Sequence, residues 1–181
     1  MKTPIHSIAL ACLGVVASGL LVSSSPVYLW IWFNVFIAGY EVYIYIKRNA
    51  LSRTRCTQDF WTTPINTQDV PLRAWKEYAC VADQRYIISK GYFVSGSYVY
   101  LFELLNVALV ATLCFAWFNN KYKLIRQTLV LQALVCIVYF ATLYQDDSFR
   151  RPLSIKSWIY WMISALWVVV PLALLSRQEY Q

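Results

Sequence analysis

Two acidic residues lie inside apolar stretches of this sequence. Glu41 is in the run VYLWIWFNVFIAGYEVYIYI, and Glu103 is in the run VYLFELLNVALVATLCFAWF. An ionisable side chain at the centre of a bilayer costs about 2.5–3.5 kcal/mol on insertion scales, so it is a functional candidate by default. A carboxylic acid that keeps its proton in a dry pocket can act as a general acid, and a second carboxyl can act as the base. The two glutamates therefore predict acid–base chemistry within a membrane.

Neutral polar residues accompany these acids. Asn34 lies seven residues before Glu41 and Asn106 lies three residues after Glu103, so each pair shares one face of a helix. A structural interpretation competes with catalysis, because polar pairs between helices are common in membrane proteins. In that interpretation the two glutamates only form hydrogen bonds across helices, with Asn34, Asn106, Gln132 or Ser164.

Trp167 also has two interpretations. Tryptophan is ordinarily an interface or core residue, and this sequence has eight. Near the middle of an apolar stretch, on the same face as Tyr160 and Ser164, Trp167 could instead offer its ring to a cationic intermediate. Spacing alone leaves both interpretations open.

The elements that must position these residues are membrane-spanning helices. Of the 181 residues, 59% are hydrophobic and 17% aromatic, which is more than a soluble domain of this length can bury. Crossing a hydrocarbon core of about 30 Å takes about 20 apolar residues. We expect an all-α, polytopic membrane protein with one domain, residues 1–181, whose five transmembrane helices enclose an intramembrane pocket. The predicted spans are residues 5–23, 27–46, 95–118, 124–144 and 157–175.

The first apolar stretch has a competing interpretation as a cleaved signal peptide. Lys2 precedes it and small residues follow it, as in such peptides. Its length favours a retained span, and Ser23-Ser24-Ser25-Pro26 is typical of a tight turn into the next helix.

Residues 49–85 form a long polar connection between the second and third spans. It contains the turn-rich TTPINTQDVP and ends in the polar-aromatic stretch Trp75–Tyr86, WKEYACVADQRY. Since this stretch lies between apolar spans, we expect it at or just outside the membrane surface, in part as an amphipathic segment. Cys56 and Cys80 lie in the connection and could form a disulfide only if it faces an oxidising lumen.

Other functional classes find little support in the sequence. The net charge is +7, but the basic residues lie in the connections, and no basic helix or aromatic sheet motif predicts nucleic-acid binding. The cysteines lack C-x-x-C spacing and the single histidine, His6, is terminal, so we predict no metal site. No cofactor motif is present. A channel or transporter is disfavoured, since the spans carry few charges and no inverted repeat.

Three segments together resemble a known family. WKEYACVADQRY, the following span with its glutamate, and SALWVVVP at residues 164–171 resemble the emopamil-binding protein family of Δ8–Δ7 sterol isomerases. The resemblance covers about residues 30–172. It implies five transmembrane helices in the endoplasmic reticulum membrane and a hydrophobic isoprenoid substrate. It also implies a lumenal polar connection, whereas the Lys and Arg on that side predict a cytosolic one by the positive-inside rule.

The family's functional residues can be compared with this sequence position by position. Its two glutamates fall on Glu41 and Glu103, and its cation-facing tryptophan falls on Trp167. The resemblance thus implies that the acid pair and the aromatic ring are retained.

The family's orienting groups differ here. Its histidine four residues before the first glutamate falls on Ile37, its threonine on Asn106, and its asparagine three residues before the tryptophan on Ser164. Asn34, one turn from Ile37, is a candidate for the missing polar group. This pattern implies a relative adapted to another substrate.

The sequence therefore predicts an isomerase or cyclase that protonates an alkene or epoxide of an isoprenoid lipid. The predicted catalytic residues are Glu103 as acid, Glu41 as base, with the roles open to exchange, and Trp167. The predicted substrate-binding residues are Asn34, Asn106, Tyr139, Ser164 and Tyr78. The expected partners are the substrate and the bilayer, with no nucleic acid and no cofactor, and a homodimer is left open. The alternative is a non-catalytic sterol- or lipid-binding membrane protein of the same fold.

Overall fold

The regular elements of the protein are α-helices throughout the residues that the computed structural model describes, 4–54, 56, 70–88, 98–145 and 155–177. This confirms the all-α prediction. The helices are α1 Pro4–Val22, α2 Pro26–Ile46, α3 Arg48–Leu51, α4 Val70–Val81, α5 Arg85–Ile88, α6 Tyr98–Phe118, α7 Tyr122–Gln145 and α8 Ile155–Ser176. Most of TTPINTQDVP, residues 89–97 and residues 146–154 lie outside the described residues.

Four of these helices, α2, α6, α7 and α8, are long and apolar enough to cross a membrane. They correspond to the second to fifth predicted spans and confirm a multi-pass membrane protein. The third span begins at Tyr98, where residue 95 was predicted. For α1, the predicted first span, side chains are described from Leu13 onward, and the apolar part Leu13–Val22 is too short to count as a span.

The outer faces of the long helices are apolar. Large hydrophobic side chains remain exposed along α6, α7 and α8, among them Leu101, Leu134, Val138, Val169 and Leu172. Contiguous apolar surface of this kind is rare on soluble monomers and is typical of helices that face lipid. Several polar side chains, by contrast, are buried between the helices.

The four long helices form a closed bundle. α6 packs against α2 and α7, α7 packs against α8, and α8 returns to contact α2. The turn between α6 and α7 passes through Asn120, whose φ of 53° is a left-handed conformation that Asn tolerates. α2 begins at Pro26, with Ser25 as N-cap accepting a hydrogen bond from the Tyr28 N–H.

α1 packs on the outside of the bundle, against α2 and α4. A Cβ atom at Gly19 would lie 2.9 Å from Trp32 Cδ1, so glycine permits this close approach of α1 to α2. The Trp32 Nε1 atom donates to the Val15 carbonyl at 3.0 Å, which ties the two helices together.

α3, α4 and α5 form a cap, residues 48–51 and 70–88, across one end of the bundle. α4 contacts α1, α2 and α8, and α5 contacts α6. A disulfide between Cys56 and Cys80, with Cα atoms 5.3 Å apart, joins the segment after α3 to α4. The buried residues Leu51, Ala79 and Tyr86 share one hydrophobic cluster with the ends of α2 and α6. The polar connection therefore holds the end of the bundle where Glu41 and Glu103 lie.

Candidate active site

A cavity of about 320 Å³ lies between α2, α6, α7 and α8, with α4 of the cap across one end. Glu41 and Glu103 both line it, and most of the remaining wall is apolar or aromatic. The predicted site residues that also line the cavity are Tyr78, Asn106, Tyr139, Ser164 and Trp167. The fold therefore brings seven of the eight predicted site residues to one cavity.

The two glutamates lie on neighbouring helices, Glu41 on α2 and Glu103 on α6, and their carboxyl groups are close enough to interact directly. Glu41 is 6% exposed and Glu103 is 9% exposed. Asn106 Nδ2 donates to both carboxyl oxygens of Glu41 at 2.9 Å. Tyr86 Oη donates to Glu103 Oε1. Within the described parts of the chain, neither glutamate forms a salt bridge.

A network of side-chain amides lies next to the acid pair. Gln132 on α7 donates through Nε2 to Asn34 Oδ1 at 2.9 Å and to Asn106 Oδ1 at 3.1 Å. Gln132 Oε1 accepts from Trp30 Nε1 at 2.9 Å. Asn34 Nδ2 donates to the Trp30 carbonyl at 2.8 Å. The structural interpretation is thus correct that these polar residues join helices, and they do so beside the cavity.

Trp167 is held by both its edge and its ring. Its Nε1 atom donates to Asn34 Oδ1 at 3.0 Å. The ring centroid lies 5.7 Å from that of Trp30 and 5.9 Å from that of Phe33. Packing and a hydrogen bond together fix the indole at the cavity wall.

Asn34 occupies a different place from the one predicted. It is fully buried and is not among the cavity-lining residues. Its side chain supports Trp167 and Gln132 from behind the wall. Ile37, one turn away, does line the cavity, so an apolar side chain stands where the resembled family has histidine.

Ser164 and Tyr139 both lie at the cavity but have other hydrogen-bond partners. Ser164 Oγ donates to the Tyr160 carbonyl of its own helix at 3.1 Å. Tyr139 Oη donates to Asp83 Oδ2 at 2.6 Å, and Tyr78 Oη lies 2.6 Å from Tyr139 Oη. Tyr139 therefore joins α7 to the cap.

Asp83 and Arg85 anchor the cap to the bundle. Both are buried, Arg85 Nη2 lies 2.7 Å from Asp83 Oδ2, and Arg85 Nη1 donates to Thr142 Oγ1 at 2.7 Å. Burial opposes the charge on Arg85, but the hydrogen bonds and negative charge of Asp83 outweigh it and raise the pKa of Arg85. The ion pair is thus retained within the fold.

The cap tyrosines stay neutral. Burial, assisted by the nearby negative charge of Asp83, raises the pKa of Tyr78 above its ordinary value. Burial and the proximity of Glu103 raise the pKa of Tyr86. Tyr86 therefore keeps the proton that it donates to Glu103.

Sequence reasoning missed the roles of Tyr86 and Gln132. Tyr86 belongs to the polar-aromatic stretch, but no spacing rule connects a cap tyrosine to a glutamate 17 residues later. The sequence indicates Gln132 only as one possible hydrogen-bond partner of the glutamates, and its central position in the network depends on partners up to 102 residues away. The shared apolar context of Asn34, Asn106 and Gln132 was the available signal.

The site offers oxygen, amide and aromatic groups to a ligand. In the described ranges, no cluster of three or more His, Cys, Asp or Glu side chains could hold a metal ion. The chemistry that these residues can perform is proton transfer by the two carboxyl groups beside an aromatic ring.

No family model, curated protein or solved structure matches this chain. The likeness to sterol isomerases therefore stays a prediction from the motifs.

Proposed function

We propose that the protein is a membrane-embedded isomerase or cyclase that acts on an isoprenoid lipid, a sterol or a terpenoid, without a cofactor. The observation that carries the proposal is that two glutamates from different helices line one largely apolar cavity beside Trp167. An apolar cavity suits an isoprenoid, and buried carboxyl groups provide the acid and the base.

In this mechanism Glu103 gives its proton to an alkene carbon or an epoxide oxygen. The resulting carbocation migrates or closes a ring, and Glu41 then removes a proton from a neighbouring carbon, so one proton enters and one leaves. Two buried carboxyl groups that line one cavity can divide the roles of acid and base between them. Asn106 donates to both oxygens of Glu41, and this contact would support Glu41 as the base, although the roles of the two acids are open to exchange. Tyr86 engages one oxygen of Glu103 and leaves the other for the proton.

Trp167 is proposed to stabilise the cation. A desolvated indole ring attracts a cation by up to about 2 kcal/mol, which corresponds to roughly a 30-fold effect on rate. The hydrogen bond to Asn34 and the packing on Trp30 and Phe33 hold the ring in place before the charge forms.

The proposal includes a membrane setting. α1 would be a fifth span, the cavity would lie within the bilayer of the endoplasmic reticulum, and the cap would face the lumen. The disulfide between Cys56 and Cys80 supports the lumenal orientation, since disulfides persist in oxidising compartments.

The test is turnover in deuterated water. Membranes that contain the protein are incubated with a panel of sterols and polyprenyl epoxides, and products are analysed for a shifted double bond or new ring and for deuterium. We expect Glu41→Gln and Glu103→Gln each to lower turnover by about 10²–10⁴-fold, the usual range for an acid or base. Thr112→Val is the matched control, because Thr112 is a half-buried residue of α6 whose hydroxyl donates to the Ala108 carbonyl of its own helix. Turnover that survives both glutamate substitutions would falsify the acid–base assignment.

A second candidate is a non-catalytic sterol- or lipid-binding protein. Ile37 at the cavity favours it, because the resembled family has an orienting histidine at this position. A sterol analogue with a protonated amine would bind in either case, since the ammonium group imitates the carbocation. Tight binding of the amine with no product from any substrate in the panel would favour this candidate over the enzyme.

A further inference from the structure

The amide network begins and ends at indole groups that can only donate hydrogen bonds. Trp30 Nε1 donates to Gln132 Oε1 at 2.9 Å, and Trp167 Nε1 donates to Asn34 Oδ1 at 3.0 Å. An indole N–H has no acceptor function. The amide oxygens of Gln132 and Asn34 must therefore face the two tryptophans.

This requirement determines the direction of the remaining hydrogen bonds. With its oxygen facing Trp30, Gln132 turns Nε2 toward Asn34 Oδ1 at 2.9 Å and Asn106 Oδ1 at 3.1 Å. With its own oxygen facing Gln132, Asn106 must direct Nδ2 to Glu41, where it meets both carboxyl oxygens at 2.9 Å. The amide groups of Gln132 and Asn106, which connect α7 to Glu41, can therefore each adopt only one orientation.

The network joins all four helices of the bundle at one point. Asn34 comes from α2, Asn106 from α6, Gln132 from α7 and Trp167 from α8. Gln132 is 2% exposed, and its oxygen and nitrogen are both engaged by the network. Its polar atoms are therefore committed to neighbouring side chains and not to a ligand.

We propose that Gln132 is a positioning residue that orients the base Glu41, through Asn106, and the cation-stabilising ring of Trp167, through Asn34. The inference rests on the proposed function for the roles of Glu41 and Trp167. Because one amide group supports both residues, a single substitution at Gln132 disturbs both of them. A hydrogen bond that contributed only to stability would not need to connect to both Glu41 and Trp167.

The first experiment measures ligand binding and does not require turnover. The purified full-length protein is titrated with a sterol bearing a protonated amine and with the matched neutral sterol. We expect Gln132→Leu to weaken binding of the amine about ten-fold, because Glu41 and the Trp167 ring both lose the support of the amide network. Binding of the neutral sterol should change less than about two-fold. Gln127→Leu, at an exposed glutamine of the same helix, should change neither affinity.

The second experiment measures catalysis. Gln132→Leu should lower kcat by about 100-fold, as expected when reacting groups are misplaced by about 1 Å, with KM little changed. In a double-mutant cycle with Trp167→Phe, the combined loss should be smaller than the product of the single losses, because the two residues act together.

The outcomes separate the inference from the proposed function. If Gln132→Leu weakens binding of the amine and of the neutral sterol equally, the positioning role is overturned. The same holds if Gln132→Leu matches Gln127→Leu in both binding and turnover. If the wild type binds the amine with the expected pattern but turns over nothing, the proposed function fails and the positioning role remains. If Gln132→Leu does not fold, Trp30→Phe removes the indole N–H and keeps an aromatic ring, and it should weaken amine binding selectively.

Discussion

Tyr86 lies in the cap, yet its hydroxyl group reaches an acid on a membrane-spanning helix. The side chain is 1% exposed, and Oη donates to Glu103 Oε1. A single neutral donor can orient a carboxyl group and decide which oxygen is available for the proton. At the scale of one residue, the proposed acid is therefore controlled from outside its own helix.

The corresponding prediction is that Tyr86→Phe lowers turnover about ten-fold, the effect of one lost hydrogen bond, with little change in the melting temperature. Tyr100→Phe is the matched control, since the Tyr100 hydroxyl donates to the backbone carbonyl of Tyr86 at 3.4 Å. Steady-state turnover and thermal unfolding of both variants give the comparison. Equal activity of Tyr86→Phe and the control would show that the hydroxyl does not assist Glu103.

At this scale the sequence predicted residue types better than residue partners. Glu41 and Glu103 could be selected because ionisable side chains are costly in apolar stretches. Trp167 could be selected because its aromatic ring can bind a cation. The support of Trp167 by Asn34 could not be predicted, because it joins residues 133 positions apart and depends on how two helices are rotated.

At the scale of elements, the cap contains two buried tyrosines that make the fold sensitive to alkaline pH. The pKa values of Tyr78 and Tyr86 are raised because both side chains are buried and lie near the acidic groups of Asp83 and Glu103. In the unfolded chain both tyrosines would ionise near pH 10, about their ordinary pKa. Above that pH the unfolded state loses protons that the folded state keeps, so the free energy of unfolding falls as pH rises.

We therefore predict that the protein loses stability as the pH rises above about 10 and that Tyr78→Phe makes this loss shallower. Thermal unfolding in detergent between neutral pH and pH 11 gives the measurement, with the difference between variant and wild type as the readout. All other ionisable groups are the same in both proteins, so their contribution cancels in this difference. Identical slopes for the two proteins would argue against a buried, neutral Tyr78.

The bounds of the long helices could be predicted because apolar length is a strong signal. α2, α6, α7 and α8 begin and end within about three residues of the predicted spans. Their rotation could not be predicted, because a helix in lipid is apolar on its outer face as well as its inner one. The cap was expected only as a polar and partly amphipathic connection, since no spacing rule predicts the contacts of Asp83 and Arg85 with α7.

At the scale of the whole molecule, two topological signals disagree. Basic residues are concentrated on the side of the cap, which the positive-inside rule assigns to the cytosol. The disulfide on the same side favours an oxidising lumen. We give the disulfide more weight, because charge bias is a weaker guide over long connections.

This orientation predicts the behaviour of the cysteines in sealed microsomes. Cys56 and Cys80 should resist a thiol reagent until the membranes are permeabilised and treated with a reductant, since their sulfur atoms are bonded to each other. A variant in which the other three cysteines of the sequence, Cys12, Cys114 and Cys136, are replaced removes the background. Equal labelling with and without reductant would contradict the lumenal cap.

The peripheral position of α1 has a consequence for how the protein is processed. α1 touches α2 and α4, and within the described residues it contributes nothing to the cavity wall. A chain cut after Val22 would lose one supporting helix and still contain every residue that lines the cavity. The proposed active site is therefore the same whether the first helix is retained as an anchor or removed by a peptidase.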